Sequence, residues 1–426
     1  MLTRRRIGAS AVLSMALLAM TGAVQAQDIE LTYSTFLDPA NDTDPRVAAQ
    51  AEMLAKFEEL HPGVKVKILV DPTAANLARG LKSGSGEPDI GRVTSYSLPE
   101  LVLTGNVAEL DGRIAADGIE NDDWLLPLET AKFNGHFYGM PQDFRIPLLM
   151  YRAGLLEKAG VAAPTTWDEV CATGSKLTGD NLIGYAVPLG NSGGLGGAQA
   201  LGEYVLSTML APDGKYFAED GREIAFSRET FVRAAQTIKE LYKTCGTTPE
   251  TSLQFGYSEV HDGLRAGTVA MATFGLARFR ALVAQGAGDD LHWAPAPSYS
   301  ADDKQTVFGF RVVLNANSAH PDEAWELIKF ATGPEGQAIL AKGGEVVARK
   351  SAYDAPYFKD PAAQRQKDWA KLVVERGQVV SYSVILTKFH EIVGEALQRM
   401  VLRDGSPEDA YDEVISSYER ELARVK

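Results

Sequence analysis

The chain has 426 residues, 42 basic against 56 acidic side chains, a formal net charge of −14 at pH 7 and 45% hydrophobic residues. That acidity argues against a nucleic-acid or anionic-membrane partner, and the length exceeds one comfortable core, so two domains are expected. Two cysteines, Cys171 and Cys245, are too few for a thiolate zinc site, and neither a metal nor a cofactor is expected. They are candidates for a disulfide in an oxidising compartment, a pairing that sequence separation alone does not decide.

At the N-terminus Arg4, Arg5 and Arg6 precede an apolar, uncharged run over 7–20, and small residues lead to Val24-Gln25-Ala26. This is the pattern of a secretory signal peptide cleaved before Gln27, since a membrane anchor needs roughly 18 or more apolar residues. Thr3-Arg4-Arg5-Arg6-Ile7 is also a loose twin-arginine match, which leaves the export route open. No cysteine follows the run to carry a lipid, and no later stretch is apolar enough to cross a bilayer, so a free periplasmic protein is expected. Loss of residues 1–26 removes three arginines and no acid, moving the charge from −14 to −17.

The chain then alternates strand and helix. Residues 29–34 read as a strand and 46–60 as an amphipathic helix with Val47, Ala51, Leu54, Ala55 and Phe57 on one side, ended by His61-Pro62-Gly63. Val-Lys alternation over 64–70 is a half-buried strand, 74–82 a helix, and 88–93 a third strand. This β-α-β-α-β order predicts a mainly parallel sheet covered by helices. The pattern restarts with a strand at 146–151, helices at 155–159 and 167–177, and a strand at 183–188 before the glycine-rich turn 190–197. Helices at 227–244 and 258–266 precede strands at 269–274 and 307–314. Helices at 321–332, 335–341, 389–401 and 408–424 complete the chain. The expected architecture is α/β with two lobes.

Several stretches resemble the extracellular solute-binding proteins of family 1, the maltose-binding-protein-like sugar binders of ABC importers. Phe57-Glu58-Glu59-Leu60-His61-Pro62-Gly63-Val64-Lys65-Val66 is similar to the family's first helix running into its second strand. Tyr138-Gly139-Met140-Pro141, Met150-Tyr151-Arg152 and Thr165-Thr166-Trp167-Asp168-Glu169 resemble its central signature. Leu264 to Met271 resembles its glycine turn followed by Ala-Met, and Ala319 to Trp325 its late helix. Relatives place a tryptophan shortly after the next glycine, whereas Gly275 is followed here by Leu276, Ala277, Arg278 and Phe279.

The resemblance implies a class II periplasmic binding fold: two lobes, a multi-segment hinge and a ligand enclosed on closure. Crossings are expected near 142–145, 297–300 and 345–349, giving lobes of 27–142 with 299–345 and of 143–298 with 346–426. It implies a monomer that carries a carbohydrate-like solute to a membrane permease, with no catalytic group. A periplasmic saccharide hydrolase or lyase is the rival class. It would need a carboxylate pair, and no motif points to one.

A polyol needs rings for its C–H faces and planar polar groups for its hydroxyls, on loops after strand ends. Phe36 and Asp38 follow the first strand, Asp71 the second, and Ser95 and Tyr96 the third. Asp143 and Arg145 sit at the first crossing, where a structural ion pair is the competing role. Gly193 and Gly194 lie in a turn whose N–H groups suit an oxygen-rich ligand. Phe274 and Gly275 end a strand that faces the cleft by resemblance, and Phe310, Arg311 and Arg349 sit by the later crossings. Arg145, Arg311 and Arg349 together raise an acidic sugar as a ligand, because guanidinium pairs with carboxylate, phosphate or sulfonate.

Overall fold

The computed structural model describes residues 29–41, 43–179, 181–190, 201–300 and 303–425. The leader expected over 1–26, and Gly193 and Gly194 of the glycine-rich turn, lie outside these residues. In chain order the strands begin with β1 (Ile29–Thr35), β2 (Val64–Val70), β3 (Ile90–Thr94), β4 (Met140–Pro141), β5 (Asp143–Phe144) and β6 (Pro147–Arg152). They continue with β7 (Ile183–Tyr185), β8 (Val269–Gly275), β9 (Leu291–Pro295), β10 (Gln305–Thr306), β11 (Phe310–Leu314), β12 (Val346–Val347) and β13 (Gly377–Gln378).

The N-terminal lobe is built on the sheet β2-β1-β3-β11-β4, with β1 parallel to β2 and β3, and β11 antiparallel to β3 and β4. A strand from late in the chain thus returns between two early ones. The helix Pro45–Leu60 covers this sheet for legible reasons. Asp44 caps it by accepting the Arg46 N–H, Pro45 presets the first turn, and Ala49, Gln50, Met53, Leu54 and Phe57 fall on its buried face. Burying a side chain such as Phe57 is worth about 1.5–3 kcal/mol. The helix ends at His61, and Gly63, at φ +92°, turns the chain into β2 where a side chain would be strained.

The C-terminal lobe carries the sheet β7-β8-β6-β9. Every residue of β8 is buried, so it reads as an unbroken Val-Ala-Met-Ala-Thr-Phe-Gly run rather than an alternating one. The helix Trp167–Leu177 starts from a capping box between Thr166 and Glu169. It carries Cys171, which is disulfide-bonded to Cys245 beyond the helix Arg228–Tyr242. Trp167 and Trp325 are core residues, and Trp124 and Trp369 are buried as deeply.

Three segments join the lobes. The first runs from β4 through β5 to β6. The second leaves β9, stays with the C-terminal lobe while Gln305 donates to the Ala296 carbonyl and Thr306 to that of Ser207, and reaches β11 through Val307, Phe308 and Gly309. The third leaves β12, which pairs with β5, and stays beside Trp124 and Asp123 through Ser351 before the helix Gln364–Arg376 and β13, which pairs with β10. A Cβ on Gly309 would stand 2.0 Å from the Asp143 carbonyl oxygen, so only glycine lets the first two segments pass.

His390, on the helix Leu386–Arg403, is buried in the C-terminal lobe with Nε2 3.1 Å from the Tyr216 hydroxyl. Burial lowers its pKa from 6.5 to about 3. The folded protein therefore resists a proton that the unfolded chain accepts, so stability is lost as pH falls below 6.5, at about 1.4 kcal/mol per pH unit. Chemical denaturation between pH 7 and 5 should show about 2 kcal/mol of this loss, and His390→Gln should flatten that part of the profile.

Candidate functional site

Where the lobes meet, side chains from the N-terminal sheet and from the connecting segments converge on Arg92. This arginine lies on β3 and is 7% exposed, with its guanidinium 3.9 Å from the ring centre of Phe310 and 4.9 Å from that of Phe36. The two rings approach each other at 5.0 Å. Its Nη2 donates to Asp143 at 2.7 Å and its Nε to the Gln142 side chain. Asp143 also accepts the Phe310 N–H at 3.1 Å and stands 3.6 Å from Arg145. Arg145 lies over Phe310 at 4.6 Å and donates to Glu345 at 3.0 Å. Glu345 further accepts from Arg46 at 3.2 Å, and Arg46 pairs with its own helix cap, Asp44. The result is one chain of alternating charge, Asp44–Arg46–Glu345–Arg145–Asp143–Arg92.

Burial works against the Glu345 carboxylate, but Arg145, Arg46, Arg280 and Arg92 outweigh it and hold its pKa below the ordinary 4.5. Burial likewise opposes the charge on Arg145, and Glu345 and Asp143 more than restore it, raising its pKa. Arg280 presses on the hinge at Gly344, where a Cβ would lie 2.3 Å from its Cζ.

A ring cluster adjoins these charges. Tyr96 from the N-terminal lobe and Tyr204 from the C-terminal lobe both meet Phe308, at 6.4 and 5.5 Å, and Tyr382 meets Tyr96 at 6.3 Å. Tyr204 and Tyr96 both act electrostatically on Arg145. Beyond Tyr204, Arg278 lies 3.9 Å over the Tyr257 ring, donates to its hydroxyl at 2.5 Å and reaches His261 Nδ1 at 3.1 Å. His261 donates in turn to Gln285 at 2.8 Å, the neutral tautomer this geometry requires, and burial lowers its pKa. Arg311 is 3% exposed, makes no side-chain hydrogen bond or ion pair among the described residues, and feels Tyr382 and Asp143. Burial pushes its pKa down to about 10.

Of the residues singled out from sequence, Phe36, Tyr96, Asp143, Arg145 and Phe310 fall together here. Ser95 is at the edge, where its hydroxyl accepts the Gly309 N–H at 3.3 Å. Gly275 abuts Tyr204, and Phe274 is fully buried beneath it between Tyr204 and Tyr257. Three others are placed elsewhere. Asp38 is exposed and holds a turn by accepting the Ala40 N–H. Asp71 is buried, and its Oδ2 accepts the Asn76 and Leu77 N–H groups and the Ser34 hydroxyl, which starts the helix Ala75–Ser83. Arg349 stacks on Trp124 at 3.7 Å and donates to the Thr332 carbonyl inside the N-terminal lobe. Sequence reasoning missed Arg46, Arg92, Tyr204, Arg280, Glu345 and Tyr382. A signal existed for two: Arg92 interrupts the buried run Ile-Gly-Arg-Val, and Glu345 stands alone between Gly-Gly and Val-Val.

Glu109, Asp111 and His136 also lie within reach of one another, on the N-terminal lobe's surface and apart from this zone. No helix among the described residues is long and apolar enough to cross a membrane.

Residues 40–338 match the family described as bacterial extracellular solute-binding protein. The chain belongs to that family. This solute-binding protein is 24% identical over 378 residues to a probable amino-acid ABC transporter periplasmic-binding protein of Sinorhizobium fredii, covering 87% of this chain and 78% of the relative. Among solved structures it is similar to the sugar-binding protein MalE from Xanthomonas citri, at 22% identity and a TM-score of 0.75, over 93% of this chain and 98% of the other. It is also similar to UgpB from Mycobacterium tuberculosis in complex with glycerophosphocholine, at 18% identity and a TM-score of 0.74, over 93% and 98%. These likenesses establish the two-lobed periplasmic-binding fold.

Proposed function

We propose that this solute-binding protein captures a small carbohydrate-like solute, a sugar, polyol or sugar derivative, between its lobes and delivers it to the permease of an ABC importer. The observation that carries this reading is the interleaving of rings with planar polar groups at the lobe junction. Phe36, Tyr96, Tyr204 and Phe310 offer apolar faces for C–H groups, while Arg92, Asp143, Arg145 and Glu345 offer directional partners for hydroxyls. Because the groups come from both lobes, a ligand touching them all favours the closed state by its differential affinity. The leader over 1–26 would export the chain, which would work as a monomer.

Binding without turnover is the reading the charges favour. A glycosidase keeps one carboxyl protonated by a raised pKa, whereas arginines tie both Asp143 and Glu345 and hold Glu345 ionised.

Thermal unfolding of the chain lacking residues 1–26, against sugars, polyols, sugar acids and amino acids, tests the proposal. A ligand bound only by the folded state at 100 times Kd adds about 2.7 kcal/mol, and a carbohydrate-like hit is expected. Stabilisation by amino acids alone, or steady product formation from a saccharide, would overturn it.

A further inference from the structure

We infer that the solute carries an anionic group, a carboxylate, sulfonate or phosphate on a polyol frame, and that Arg278 and Arg311 receive it. This deepens the proposed function and rests on it. The whole chain is acidic at −14, yet the lobe junction is locally the reverse. Among the described residues its three carboxylates, Asp44, Asp143 and Glu345, are all engaged by Arg46, Arg92 and Arg145. Arg278, Arg280 and Arg311 remain, none with a carboxylate at ion-pair distance among the described residues. A fold does not bury guanidinium groups without compensation at no cost, since an unpaired buried charge forfeits its hydration.

Among the described residues the two feel carboxylates only from beyond ion-pair distance, Asp262 for Arg278 and Asp143 for Arg311. Arg278 is held by the Tyr257 hydroxyl, the Tyr257 ring and His261, whose Nδ1 faces the guanidinium as an acceptor while Nε2 donates to Gln285. The ring contributes a cation–π attraction, but Asp262 acts on the charge only from a distance and no described carboxylate pairs with it. Arg311 has Nη1 buried without any hydrogen bond, 5.8 Å from the Phe144 ring centre across the cation–π gap. A neutral sugar would accept hydrogen bonds from these groups and leave their charge uncompensated. An oxyanion meets both needs, and the planar fork of arginine suits carboxylate, sulfonate and phosphate alike.

Isothermal titration with matched probes decides this: D-glucose against D-glucuronate and D-glucose 6-phosphate, and glycerol against glycerol 3-phosphate. At least one anionic member is expected to bind tenfold or more tightly than its neutral partner, and comparison of the anions separates carboxylate from phosphate. Arg278→Gln should cost the anion tenfold or more and leave the neutral partner within about twofold. Arg311→Met should raise the ligand-free melting temperature by relieving a buried charge, and should remove the anion's advantage. Equal or tighter binding of the neutral members would overturn the inference and leave the carbohydrate reading standing. Binding of no probe of either kind would sink both. An Arg311→Met protein that melts lower and keeps its anion preference would make Arg311 part of the scaffold and overturn its assignment.

Discussion

Replacing Glu345 by glutamine is expected to lower the stability of the ligand-free protein by about 3–5 kcal/mol at pH 7, the usual consequence of removing one member of a buried charge network. Glu345 is 5% exposed and its Oε1 serves both Arg46 and Arg145, while Arg280 adds a third cation nearby. An amide oxygen can still accept hydrogen bonds but cannot balance that charge, so the remaining guanidinium groups repel one another across the hinge. The pH dependence has a definite sign. The Glu345 pKa is depressed in the folded state, so its contribution is complete above its ordinary 4.5 and is lost as pH falls below that value. The gap between wild type and Glu345→Gln should therefore narrow as denaturation is followed to lower pH. A loss below about 1 kcal/mol at pH 7, with no narrowing, would show that Glu345 contributes no more than an exposed ion pair.

The scaffold was legible because its signals are local. The capping box Thr165-Thr166-Trp167-Asp168-Glu169, the stop at His61-Pro62-Gly63 and the unbroken apolar run of β8 each encode an element within ten residues, and each element forms where expected. The strand expected over 307–314 forms only from Phe310, because Phe308 pairs across the hinge with Arg145 and Gly309 passes against Asp143. The site was legible only in part. Strand-end loops led to Phe36 and Tyr96, and the first crossing led to Asp143 and Arg145. Arg92 lies inside β3, and its neighbours Gln142, Asp143 and Phe310 come from 50 or more residues away, so the charge that breaks the apolar run is visible locally but its partners are not. Asp71 satisfied the same strand-end rule as Phe36, but the N–H groups of the following helix claim its carboxylate first. A positional rule places a residue at the rim of a sheet; it does not count the donors already waiting there.

Reduction of the Cys171–Cys245 disulfide, or its replacement by two serines, is expected to cost about 4.5 kcal/mol, the chain-entropy value for a loop of this size. The bond spans a sequence separation of 74 and ties the helix Trp167–Leu177 to the turn after Arg228–Tyr242. That turn is also where Thr247 and Thr248 hold β7, through the Tyr185 N–H donating to the Thr247 carbonyl and the Thr248 hydroxyl donating to the Tyr185 carbonyl at 2.6 Å. The crosslink thus lies on the outer edge of the sheet β7-β8-β6-β9, away from Arg92, Glu345 and the ring cluster. Two readouts should therefore separate: a markedly lower unfolding midpoint in reductant, and a ligand affinity at low temperature that stays within about twofold of the oxidised protein. A large loss of affinity on reduction, with the protein still folded, would mean that the edge of the C-terminal sheet helps to position the site. Unchanged stability would mean that the hydrogen bonds around Thr247 and Thr248 already hold that edge without the crosslink.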